Sequence, residues 1–145
     1  MNQLKKKLSL LIASSSLVLL TGCSTLTNLY DSYFMAGYDN GEYSLITNIR
    51  SVAEISTTHC DNQERSKVIF DNLHFKSVEF RNYTQHIPDN ENANKLALEL
   101  VKLTEQGKDI YTKGNEVSAG FCKIKLQQIN RSAEKIQKVI GSKAR

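Results

Sequence analysis

The 145-residue chain has no tryptophan, one proline (Pro88) and three cysteines. One proline excludes a polyproline or collagen-like architecture and a proline-rich spacer. Three cysteines, none in a C-x-x-C pair, exclude a cysteine-dense scaffold and the usual zinc-finger spacing. His59 beside Cys60 is the one extra ligand worth naming, and His74 and His86 have no matching register, so no metal and no cofactor is expected. There is no G-x-S-x-G, no H-E-x-x-H and no glycine-rich phosphate loop. Glu79, Glu99 and Glu105 could pair as carboxylates, but on charged helices they read as solvated side chains. Nothing resembles an interleaved aromatic and basic nucleic-acid module. The expectation is a protein that is not an enzyme and does not bind nucleic acid.

Long apolar runs are also missing. The longest, Leu8–Leu20, is softened by Ser14, Ser15 and Ser16. It is shorter than the roughly 20 residues of a membrane-spanning helix. Lys5, Lys6 and Lys7 precede it and Leu20-Thr21-Gly22-Cys23 closes it, which is the layout of a secretory signal ending on a cysteine. This segment resembles the signal and lipobox of bacterial lipoproteins, a class that phages also encode. The resemblance covers residues 1–23 only, and no family is recognised for the rest. It implies cleavage after Gly22, acylation of Cys23 and attachment to membrane lipid. Several acyl chains hold a protein stably where one binds only marginally. By the family's sorting pattern, Ser24 permits transfer to the outer membrane, where an Asp would favour the inner one.

Three divisions are expected: a signal peptide at 1–22, a lipidated N-terminus and tether at 23–38, and a domain at 39–145. The tether carries Leu29, Tyr30, Tyr33, Phe34, Met35 and Tyr38. It reads equally as an interfacial aromatic belt or as an arm folded onto the domain. Charge is uneven beyond it. Residues 113–145 hold eight basic and two acidic side chains, whereas residues 23–112 hold eight basic and thirteen acidic. The favoured reading is that the last helix packs against acidic ones within the fold.

Four helices are predicted. Asp39 caps the first, with Glu42 reaching back in a capping box. Leu45, Ile46, Ile49, Val52, Ala53 and Ser56 follow at helical spacing. Asp61 and Glu64 offer a second box. The helix behind it runs to about Tyr83, with Ile69, Leu73, Ser77, Phe80 and Thr84 inward. Val68, Phe70, Phe75 and Val78 widen its apolar surface and lend it local strand character. Pro88 ends it, and Asp89-Asn90 opens the third helix, from Ala93 to Tyr111, weakened near its end by Gly107. The fourth has the cleanest register: Cys122, Leu126, Ile129, Ala133, Ile136 and Ile140.

Short connections favour antiparallel neighbours, so the expected fold is an all-α, up-down four-helix bundle. In that topology Cys60 and Cys122 fall at one end, and in an oxidising compartment the pair reads as a disulfide. The tether, the 86–88 loop and the basic residues Lys138, Lys143 and Arg145 fall at the other end, where those charges are expected to face headgroups. The function expected is a membrane-anchored interaction or blocking module for another envelope protein, on the periplasmic side of the outer membrane. The alternatives are a cell-wall enzyme or enzyme inhibitor, and a phage lysis lipoprotein of the outer-membrane spanin kind.

Overall fold

A computed structural model describes residues 36–114 and 116–145. The signal segment, Cys23 and the tether up to residue 35 lie outside the described residues. Four helices pack together: α1 (Asn40–Ile55), α2 (Gln63–Thr84), α3 (Glu91–Thr112) and α4 (Ala119–Gly141). A short 3₁₀ turn, Ser56–His59, follows α1. The protein is an all-α four-helix bundle, with no strand among the described residues. The most extensive pairings are α1 with α4 and α2 with α3, and the remaining sides are α1 with α2 and α3 with α4. Helices α2 and α4 therefore stand diagonally opposite each other. Residues 36–145 bury a core of their own.

Each helix buries one narrow stripe. In α1 it is Glu42, Ile46, Ile49 and Ala53. In α2 it is Ser66, Phe70, Leu73, Ser77, Phe80 and Thr84. In α3 it is Ala93, Ala97, Leu100, Thr104, Gly107 and Tyr111. In α4 it is Cys122, Leu126, Ile129, Ala133, Ile136 and Ile140. All four step by four and three alternately, the 3.5-residue period of a coiled-coil seam. The stripe of α2 differs from the expected one. Phe70 is fully buried and Ile69 only partly, while Val68 and Phe75 face solvent. The hydroxyls of Ser77, Thr84 and Thr104 on these stripes satisfy themselves locally. Ser77 Oγ donates to the Leu73 carbonyl (2.7 Å), and Thr104 Oγ1 donates to that of Leu100 (3.1 Å).

The helix starts follow the capping logic with shifts. Asp39 accepts from Glu42 N (2.7 Å), Asn62 from Arg65 N (2.9 Å), and Ser118 from Phe121 N (3.2 Å). The cap of α2 is thus Asn62, one residue beyond Asp61. Asn90 precedes α3 without capping it, because its side chain is engaged elsewhere. Asp89 turns the chain there in the left-handed region, at φ 55°.

Gly107 has a packing reason. A Cβ built there would lie 2.5 Å and 2.7 Å from ring carbons of Phe70, which stacks on Tyr111 at a centroid distance of 5.1 Å. The ring occupies the space a side chain would need. Gly107→Ala is therefore expected to lower the unfolding free energy by about 2 kcal/mol, because overpacking outweighs the gain in helix propensity. Gly120→Ala, in α4, where a Cβ would meet only Ser118 Oγ at an ordinary 4.0 Å, should be neutral or stabilising. Urea unfolding of the two variants checks this, and a Gly107→Ala protein as stable as the parent would refute it.

Candidate functional site

The two ends of the bundle are built differently. At one end Cys60, just past the 3₁₀ turn, is bridged to Cys122 in the first turn of α4, with Cα atoms 5.6 Å apart. Ser66 Oγ lies 3.6 Å from Cys122 Sγ and 3.4 Å from the His59 carbonyl, which joins α2 to the same corner. Nearby on the α2–α3 seam, burial raises the Tyr111 pKa above the usual phenol range. Ser66 offsets part of this without forming a hydrogen bond of good geometry to the hydroxyl.

At the other end a buried polar cluster joins three separate parts of the chain. Lys143 Nζ donates to Glu42 Oε2 (2.7 Å) and to Asn90 Oδ1 (2.6 Å). Asn90 Nδ2 donates to Glu42 Oε1 (2.7 Å) and to the Thr84 carbonyl (3.3 Å). The Glu42 and Lys143 side chains are 0% and 1% exposed. Both carboxylate oxygens and two ammonium protons are thus satisfied away from water, the condition under which a buried ion pair is tolerable. Two expectations are corrected here. Glu42 does not reach back to close a capping box, because its carboxylate turns inward to Lys143. Lys143 is not a headgroup-facing charge, because Glu42 holds it inside the fold.

Around this cluster the chain ends are fastened. Ala36 N donates to the Asp89 carbonyl (3.1 Å), and Tyr38 N donates to that of Ala144 (2.8 Å). The guanidinium of Arg145 sits 4.9 Å from the centre of the Tyr38 ring, a cation–π contact. Residues 36–38 are therefore an arm against the bundle. Lys138 is exposed and pairs with Glu134 one turn away (2.8 Å), which holds the Glu134 carboxyl below its usual range.

Between α1 and α2, near this end, runs a groove of about 750 Å³ lined by Gly41, Leu45, Glu79, Tyr83, His86 and Ile87 among others. The Tyr83 hydroxyl donates to Asp39 Oδ1 (3.0 Å), and this hydrogen bond leads the causes that raise its pKa. Such a hydroxyl is a poor nucleophile or base. A Cβ at position 41 would meet the Tyr83 ring (2.9 Å to Cζ), so glycine lets the two helices close over this contact. The other carboxylates singled out, Glu99 and Glu105, are exposed on α3.

No family model matches the chain, and no curated protein or solved structure matches it. Among the described residues no three His, Cys, Asp or Glu side chains are placed to hold a metal ion, and no helix is long and apolar enough to cross a membrane.

The outward faces remain. Val68 and Phe75 are 64% and 70% exposed. Each lies two residues beyond a core position of α2 (Ser66, Leu73), about 200° around the helix. They stand two turns apart on its outward ridge. Sequence reasoning missed the buried cluster, although a signal for it existed. Glu42 sits on the 42-46-49-53 stripe, and Lys143 continues the α4 stripe three residues beyond Ile140. A charge in register with a core stripe announces a buried partner.

Proposed function

We propose that the chain is a membrane-anchored envelope lipoprotein whose helical domain is a non-catalytic interaction or blocking module for another envelope protein. The observation that carries this reading is the pair Val68 and Phe75, aligned and exposed on the outward ridge of α2. Two large apolar side chains in helical register form anchors of the kind a partner groove receives. The lipobox at Cys23 supports the anchor. The first described residue, Ala36, is fastened at the end opposite the disulfide, and that supports a tether joining the domain there. Ser24 supports the outer membrane as destination, with the domain in the periplasm.

A photo-crosslinker at position 68 or 75, used in intact cells, is expected to trap one discrete protein. Val68→Ser with Phe75→Ser should abolish that product while moving stability by no more than about 0.5 kcal/mol per site, since both positions are exposed. Labelled palmitate should enter the chain and be lost in Cys23→Ser. Absence of any trapped protein would overturn the interaction reading. Hydrolysis of purified peptidoglycan that disappears in Glu79→Gln would favour a cell-wall enzyme working from the groove instead.

A further inference from the structure

Helix α4 carries five basic residues, Lys123, Lys125, Arg131, Lys135 and Lys138, and one acidic residue, Glu134. On α3, by contrast, Lys95, Lys102 and Lys108 alternate with Glu91, Glu99, Glu105 and Asp109. The expectation that the basic segment is balanced inside the fold fails for α4. Its own ion pair is local, Lys138 with Glu134, and the one inter-element pair from the C-terminal region is made by Lys143, beyond the helix. Lys123, Arg131 and Lys135 are exposed and make no ion pair or hydrogen bond among the described residues. Ile124, Gln128, Arg131, Lys135 and Lys138 step by four and three, two residues out of phase with the core stripe. They form one outward ridge about 21 Å long with no acidic member.

The geometry points to this ridge as a docking face for an anionic lipid surface, so that the bundle lies with α4 along the headgroups. Charge complementarity selects phosphate-bearing headgroups. The composition selects a lipid surface over an acidic protein, because two of the ridge's three cations, and four of the five on α4, are lysine, which is depleted in protein interfaces and suits a mobile array of phosphates. Ile124, 57% exposed on the same ridge, adds an apolar contact for the interface. The end of the bundle is the poorer candidate, because Lys143 is buried and Arg145 is occupied by Tyr38. Since α2 stands diagonally opposite α4, this orientation leaves Val68 and Phe75 facing away from the bilayer. The inference goes beyond the interaction reading and does not require acylation.

The test uses residues 23–145 with Cys23→Ser, floated on phosphatidylcholine vesicles with and without phosphatidylglycerol. Binding is expected only with phosphatidylglycerol and should fall at high salt. Arg131→Gln, Lys135→Gln and Lys138→Gln together should weaken it about a hundredfold, or about fivefold per charge. The control, Lys95→Gln, Lys102→Gln and Lys108→Gln, removes the same net charge from α3 and should lose far less. Both variants should keep the parent's cooperative melt. Equal losses in the two variants would reduce the effect to net charge and overturn the proposal. So would absent binding by the parent, or crosslinking of the ridge to an acidic protein without vesicle affinity.

Discussion

Lys143→Ala is expected to lower the unfolding free energy by about 3 kcal/mol, the low end of the cost of stripping one partner from a buried ion pair. The carboxylate of Glu42 would keep Asn90 but lose its counter-charge. The low end applies because Lys143 lies beyond α4, two residues from the last described position. The tail can peel away and admit water to Glu42. The same peeling should release Tyr38 N from the Ala144 carbonyl, so amide exchange at Tyr38 is expected to accelerate. Glu42→Met with Lys143→Met should recover part of the loss, since an apolar pair of similar volume leaves no orphaned charge but takes the donor from Asn90 Oδ1. A double-mutant cycle by urea unfolding measures the coupling. A Lys143→Ala protein within about 0.5 kcal/mol of the parent, the range of ordinary surface substitutions, would show that the pair does not constrain the fold.

Removal of the disulfide by Cys60→Ser and Cys122→Ser should have a larger effect. The bridge joins residues 62 apart in sequence. The chain-entropy account assigns about 4 kcal/mol to closing a loop of that length. That is a large part of the 5–15 kcal/mol typical of a whole domain. The double variant is expected to remain helical by circular dichroism in buffer and to unfold at a much lower urea midpoint. Its effect should add to that of Lys143→Ala, because the two sites sit at opposite ends of helices about 30 Å long. A strongly non-additive result would show that the two ends communicate through the core. An unchanged urea midpoint in the double variant would show that the bridge contributes little beyond the bundle's own packing.

The helices and their order were legible in the linear pattern because each depends on local spacing, and the disulfide followed because an up-down topology brings Cys60 and Cys122 to one end. The 122-126-129-133-136-140 register leaves no choice of face for α4. In α2 the same approach chose Ile69 over Phe70, because off-stripe Val68, Phe75 and Val78 blur the apolar face. The choice belongs to α3: Gly107 opens the space that admits the Phe70 ring. That pairing spans two helices, and neither periodicity alone contains it. Gly107 read by propensity is a weak spot, and read with its neighbour it is the complement of an aromatic ring.

Charge divides the same way. The sequence by itself determined that the C-terminal region is basic and that Cys60 and Cys122 share one end of an up-down bundle. Only the tertiary structure decided which charges are available. Lys138 and Lys143 lie five residues apart, and only the second continues the core register of α4. One is solvated beside Glu134, and the other is enclosed by Glu42 and Asn90. The physical reason is desolvation. A charge is buried only where partners from other parts of the chain converge to replace its water, and that convergence is a property of packing in three dimensions.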